Sequence, residues 1–320
     1  MQYIVAAVFS FLIVYFLIPV FIKVANKIGF TDKPTERKKH RGPIPLGAGI
    51  PIYIGFFTIY FIMNYFFVEG EMKKQYWILL GATLILLIGL VDDYYKTKGK
   101  EFPIFPRLVV QLLAAVIVFQ GGVAFEGFTN PISHSYVLLP VQLQFILTIT
   151  WIFGVTTVIN WSDGMDGLAA GISTVSSLTF FFAALILGQW PSALTSIILG
   201  AAIFAYFLYN KHPAKVFMGD SGANVIGFLL SIIAIDGAFK QATVLSLFIP
   251  IFALAVPIFD NIFVIFKRFT EGKKVYEADR SQMHYRLEEK GLSTKQIVNY
   301  ILGISLFFSI LSIIVLFIKN

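Results

Sequence analysis

Cysteine is absent from the 320 residues, which excludes a disulfide framework, a thiolate metal site and a cysteine nucleophile. Charge is scarce as well: Asp, Glu, Lys and Arg make up 13% of the chain, against about 25% in soluble domains. No internal repeat, low-complexity tract or linker divides the chain, so it reads as one domain over residues 1–320. Water alone cannot be its solvent. What is abundant is apolar: 57% of residues are hydrophobic, 34 are Phe, and the mean hydropathy is +0.79. Segments this apolar on every side suit a lipid-facing bundle. The first apolar stretch, Tyr3 to Val24, lacks a basic leader and exceeds the length of a signal core, so it is expected to remain as a span.

Apolar stretches long enough to cross hydrocarbon fall near 3–25, 46–68, 76–92, 106–125, 141–160, 167–187, 191–209, 222–238, 242–266 and 297–318. The expected fold is therefore all-α, a polytopic bundle of about ten transmembrane helices. An even count puts both termini on one side, and the connecting segments then alternate between two faces. One face carries 21 of the 25 Lys and Arg residues, leaving Lys73, Lys74, Lys240 and Lys319 to the other. By the positive-inside rule the rich face is cytoplasmic and both termini are extracytoplasmic.

Topology makes no such demand on carboxylates, yet they follow the basic side. Asp92 and Asp93 end the third span, Asp163 and Asp166 lie between the fifth and sixth, Asp220 precedes the eighth, and Asp279 sits in the last loop. Two adjacent carboxylates at the edge of hydrocarbon are costly unless cations offset them, and Lys96, Lys98 and Lys100 follow within one turn or two. In N-W-S-D-G-M-D-G-L, Asn160, Asp163 and Asp166 are spaced by three and would share one side of a helix, while Gly164 and Gly167 permit close approach. In F-M-G-D-S-G, Asp220 is a hard oxygen ligand at the start of a helix, the end that favours anions. Phe217 could stack on a base or simply pack. Arg280, His284 and Arg286 crowd the last loop, where arginine suits phosphate and a plain basic loop would suit headgroups. Asp260 lies inside the ninth span, where a carboxylate marks either a functional site or a contact with a neighbouring helix. His40, His134 and His212 carry no expectation of function.

These pieces resemble the polyprenyl-phosphate N-acetylhexosamine-1-phosphate transferase family, of which WecA, TagO and MraY are members, along nearly the whole chain. The matching motifs are D-K-P-x-x-R-K-x-H-x-x-P-I-P-x-G from Asp32 to Gly47, the Asp92–Asp93 pair, N-x-x-D-G-x-D-G-L at 160–168, F-M-G-D-S-G at 217–222 and D-R-x-x-x-H-x-R-L at 279–287. The resemblance implies a bacterial inner-membrane enzyme with its active site facing the cytosol. It would move a sugar-1-phosphate, foremost N-acetylglucosamine-1-phosphate, from a UDP-sugar to polyprenyl phosphate and release UMP. It implies Mg²⁺ or Mn²⁺ held by Asp220 and Asn160, with Asp92, Asp93, Asp163 and His284 as catalytic groups. Lys96, Lys100, Arg280 and Arg286 would contact phosphates or sugar, and Asn210, Phe217 and Asp166 the nucleotide. A homodimer fits the family, and no nucleic-acid partner is expected. One departure stands out: where the WecA and TagO branch has several histidines in the last loop, this chain has Gln282 and Tyr285, leaving His284 alone. Two rivals remain, a transferase using the muramoyl-pentapeptide donor and, outside the class, an ion-coupled transporter. A transporter places its polar groups near the midplane between repeats, unlike this one-sided cluster.

Overall fold

The structure, a computed structural model, describes residues 1–33, 42–68, 72–130, 133, 135–237, 244–274 and 280–319. His40, His134 and Asp279 therefore lie outside the described residues. Helices dominate because an apolar backbone segment in lipid can satisfy its N–H and C=O groups only within itself. Seven helices run through the first two-thirds of the chain: α1 (Gln2–Ile28), α2 (Gly49–Phe67), α3 (Lys73–Thr97), α4 (Ile104–Gln120), α5 (Val141–Trp161), α6 (Leu168–Ile186) and α7 (Trp190–Asn210). They are followed by α8 (Gly219–Asp236), α9 (Val244–Ala253), α10 (Ala255–Thr270), the short α11 (Met283–Glu289) and α12 (Thr294–Lys319). Two small antiparallel hairpins interrupt them: β1 (Thr31–Asp32) with β2 (Ile44–Pro45), and β3 (Gly127–Thr129) with β4 (Tyr136–Leu138).

Eight of these helices, α1, α2, α3, α5, α6, α7, α8 and α12, are long and apolar enough to cross a membrane. The expected fourth span is the 17-residue α4, entered through Pro103. The expected ninth span is broken at Leu254 into α9 and α10. The cause is Pro257, which has no N–H to give the carbonyl of Ala253. That carbonyl instead accepts a hydrogen bond from Ser176 Oγ of α6 at 2.6 Å, so the break is satisfied inside the protein.

At the centre stands α8, buried from Gly219 to Ile235. Its run G-D-S-G-A-N-V-I-G is rich in small residues, which lets neighbouring backbones approach where lipid offers no hydrophobic drive for helix association. A methyl on Gly49 of α2 would strike the Gly222 backbone, one on Gly89 of α3 would strike Ser221, and one on Gly227 would strike Thr156 of α5 at 2.8 Å. Polar cross-links join the bundle further, including Ser10 Oγ donating to the Ile198 carbonyl at 2.8 Å. By contrast α1 buries only a stripe, Ala6, Ser10, Val14, Ile18 and Ala25, and turns Ile4, Phe16 and Val20 outward. The contact of Gly89 with Ser221 is what positions the site, since Asp92 and Asp93 follow within one helical turn.

Candidate active site

Asp93 completes the start of α8. That helix opens with no side-chain cap of its own, leaving its first N–H groups without intrahelical partners. Asp93 Oδ1 accepts from the Asp220 N–H at 2.8 Å, while Oδ2 accepts from the Ser221 N–H at 3.1 Å and from Ser221 Oγ at 2.7 Å. A carboxylate at a helix N-terminus is favoured by the helix dipole as well. Gly219, with φ at +69°, is confined to glycine twice over, because a methyl there would also strike the Asp93 carboxylate.

Asp92, the preceding residue, points about 100° away around the helix and meets a different group. Its Oδ2 pairs with Nη1 of Arg107 from the first turn of α4. The same Nη1 lies 3.4 Å from Asp220 Oδ2, and Asp220 Oδ1 accepts from Lys96 Nζ at 2.7 Å and from Asn160 Nδ2 at 3.0 Å. Four helices, α3, α4, α5 and α8, thus meet in one alternating chain of charges: Asp92, Arg107, Asp220 and Lys96. Asp92 and Asp93 are buried at 2% and 0% exposure, whereas Lys96 and Arg107 keep part of their surface open. One turn deeper, Gln111 donates to Asn224 Oδ1 at 3.3 Å, and both side chains are buried.

The loop after α5 departs from the expected helical spacing. α5 ends at Trp161, and Gly167 adopts φ +80° before α6 begins, so only Asn160 of the three residues is helical. Asn160 faces Asp220. Asp163 is half-buried, and its carboxylate accepts no hydrogen bond among the described residues. Burial pushes its pKa well above the usual carboxylate range, with the charge of Asp220 adding to the rise and Lys96 opposing it. Asp166 turns the other way: its Oδ2 accepts from the Ala214 N–H at 3.1 Å and lies 2.8 Å from His212 Nδ1, tying down the segment between α7 and α8. Asn210 does similar work. Its Oδ1 accepts from the Gly167 N–H at 2.9 Å and its Nδ2 donates to the Val216 carbonyl at 3.0 Å. Phe217 is half-buried and its backbone is paired with Pro45 and Ala48.

The last loop presses one residue onto this region. His284, 2% exposed, packs against Gly164, where a methyl group would strike its ring, and lies 4.2 Å from the ring of Tyr285. Burial lowers its pKa to about 4, with Arg280 pushing in the same direction and Glu288 opposing, so the imidazole is neutral at pH 7. Arg280 pairs with Glu288 at 2.6 Å and Arg286 with Asp260 at 2.8 Å. Lys100 is exposed beyond the end of α3. The structure therefore gathers Asp92, Asp93, Lys96, Asn160 and Asp220, with Asp163 beside them and His284 across the loop. Lys100, Asn210, Phe217, Arg280 and Arg286 do not join that network.

Arg107 is the residue the sequence reading missed, having been counted among the topogenic charges. A signal was available: a cation in the first turn of a helix opposes the helix dipole, so it needs a local reason such as a carboxylate partner.

A divalent cation fits the chemistry of this donor set. Asp220, Asp163 and Asn160 are hard oxygen donors of the kind that Mg²⁺ takes, and among the described residues the cations paired within this group of four aspartates are Lys96 and Arg107. Among the described residues, however, no three His, Asp or Glu side chains are grouped as a finished metal cage.

The fold and the site define a multi-pass membrane protein with a buried acidic centre at one end of the bundle. A family profile, glycosyl transferase family 4, matches residues 76–238. A relative from Bacillus subtilis (strain 168), described as a probable undecaprenyl-phosphate N-acetylglucosaminyl 1-phosphate transferase, is 34% identical over 311 residues, covering 97% of this chain and 84% of its own. The undecaprenyl-phosphate alpha-N-acetylglucosaminyl 1-phosphate transferases of Escherichia coli (strain K12) and Salmonella typhimurium (strain LT2) are 27% and 28% identical, each over 86% of this chain and 73% of their own. The chain belongs to glycosyl transferase family 4.

Proposed function

We propose that this protein transfers N-acetylglucosamine-1-phosphate from UDP-N-acetylglucosamine to undecaprenyl phosphate, at the cytoplasmic face of a bacterial inner membrane, releasing UMP. The names of the relatives above supply the acceptor and the group transferred, and the UDP-sugar donor is what such a reaction implies. The observation that carries the reading on this chain is the convergence of Asp92, Arg107, Asp220, Lys96 and Asn160 from four helices at the basic end of the bundle. A lipid phosphate entering from the bilayer and a nucleotide entering from water can meet only at such an interface.

Both reactants are anions, so positioning and charge neutralisation supply most of the catalysis in phosphoryl transfer. Lys96 and Arg107 are the partly open cations of the network and would receive phosphate oxygens. Asp92 holds Arg107, and Asp93 holds the α8 terminus that carries Asp220. An oxygen of the lipid phosphate attacks the sugar-bearing phosphorus, the bond from that phosphorus to the UMP oxygen breaks, and UMP departs. A phosphate monoester has its second pKa near 6, so at neutral pH the attacking oxygen is already ionised and direct attack needs no general base. Asp220, Asp163 and Asn160 would hold Mg²⁺, which when bound offsets the charge of the diphosphate. His284, neutral and seated on Gly164, borders the loop that receives the donor.

The test is to incubate purified protein with undecaprenyl phosphate and each of several UDP-sugars, measuring UMP and the lipid product. Turnover with UDP-N-acetylglucosamine is expected; turnover only with the muramoyl-pentapeptide donor would move the protein to the other branch, and no UMP from any donor would remove the enzymatic reading.

A further inference from the structure

Asp260 has no place in the proposed reaction, although it is the one carboxylate of α10. Both of its oxygens lie 2.9 Å from the backbone nitrogen of Met283, so the first N–H of α11 points between them. Oδ1 also accepts from Arg286 Nη2 at 2.8 Å, and that guanidinium lies 4.2 Å from the ring centre of Phe263, one turn along α10. The seven-residue α11 has no side-chain cap of its own, and a helix this short is not stable by propensity. Asp260 supplies the cap from another helix and clamps the far side of the same turn through Arg286.

What the clamp fixes is the turn that carries His284. His284 follows Met283 directly, is buried against Gly164, and turns Nε2 toward that glycine without a hydrogen-bond partner among the described residues. An unpaired polar atom buried at a loop is costly unless a ligand or the loop itself uses it. The guanidinium of Arg286, by contrast, is engaged by Asp260 and Phe263.

We infer that Asp260 is a positioning residue: it anchors α11 so that His284 backs the 160–168 loop, and it thereby sets affinity for the nucleotide-sugar donor and not for the lipid acceptor. This rests on the reading of that loop as the donor site. It also assigns Arg286 to the clamp and not to substrate phosphate.

The experiment compares Asp260→Asn, Arg286→Gln and the double variant with the full-length wild type in detergent. Diethyl pyrocarbonate modification, read by peptide mass mapping, reports the seat of His284, with His212, whose side chain is 42% exposed, as internal reference. His284 is expected to be protected in wild type and modified in Asp260→Asn. Donor KM should rise about tenfold while kcat and acceptor KM hold, the mark of a lost binding contribution, and the double variant should be no worse than the worse single one. Full protection with wild-type donor KM in Asp260→Asn would overturn the inference. So would equal changes in donor and acceptor KM with a lowered melting temperature, which would mean general structural damage, or a rise in donor KM in Arg286→Gln that Asp260→Asn does not share. Exposure of His284 with donor KM unchanged would overturn the donor claim while leaving the proposed reaction intact, because UMP release tests that separately.

Discussion

Asp92 and Asp93 are neighbours in sequence with unlike surroundings, and their substitution should separate stability from turnover. Asp93 accepts three hydrogen bonds from the start of α8, and bonds to a charged group contribute roughly 1.5–3 kcal/mol each. Asp93→Ala should therefore lower the thermal midpoint markedly, by an amount equivalent to at least about 3 kcal/mol, and lose activity with it. Asp92→Asn keeps a side chain of the same shape beside Arg107, so activity should drop steeply with a near-native midpoint; equal midpoint losses for the two would refute this division. Arg107 gives a second contrast. Arg107→Ala leaves buried Asp92 unpaired and should cost about 100-fold or more in kcat, whereas Arg107→Lys, which keeps the charge but loses the planar guanidinium and its further donors, should recover only part. His284 adds a pH dependence with a definite sign. Its folded pKa of about 4 lies below the unfolded value of 6.5, so the unfolded chain binds more protons between those values and stability falls as pH drops through that window. The whole effect is on the order of 3 kcal/mol. Thermal midpoints measured from pH 7 down to pH 5 should decline more steeply in wild type than in His284→Asn.

At the scale of helices the bundle is held by glycines whose missing side chains are replaced by neighbouring backbone. Gly89→Ala would drive a methyl into Ser221, separating α3 from α8, so it should abolish the Asp93 cap and activity together, a loss visible as reduced yield of folded protein in detergent. Sequence made most of the helices legible because lipid enforces long apolar segments, and the carboxylates were legible because they interrupt those segments at one face only. The break at Leu254 was not, since a proline near a helix start is ordinary and its consequence depended on Ser176, remote in sequence. The 160–168 loop was misjudged for a related reason: regular spacing of Asn160, Asp163 and Asp166 suggested one helical face, yet α5 ends at Trp161, Gly167 turns the chain into α6 at φ +80°, and Asp166 goes to His212. Roles drawn for Asn210 and Arg286 could not be checked by motif alone, because the partners that occupy them, Gly167, Val216 and Asp260, lie on other elements.

For the whole molecule the decisive quantity is the charge balance at one end of the bundle. Asp92, Asp93, Asp163 and Asp220 converge on two cations among the described residues, and burial together with the charge of Asp220 pushes the pKa of Asp163 up, which lessens the negative excess. For an acid shifted in that direction, stability falls as pH rises past the unfolded value, because the folded chain must then ionise a carboxyl that resists it. A divalent cation reverses the preference, since ligand carboxyls bind it only when deprotonated. Adding Mg²⁺ to substrate-free protein should therefore release protons and raise the thermal midpoint, by the equivalent of about 2.7 kcal/mol once the ion reaches a hundred times its dissociation constant. Calorimetric titration in two buffers of different ionisation enthalpy measures the proton count directly. Asp163→Asn should bind the ion with fewer protons released, Asp220→Ala should lose the midpoint shift altogether, and chelation should return wild type to its starting midpoint. If Mg²⁺ left both protonation and midpoint unchanged, Lys96 and Arg107 would have to be sufficient counter-charges for the diphosphate, and Asp220 would be a structural partner of Lys96 and not a ligand.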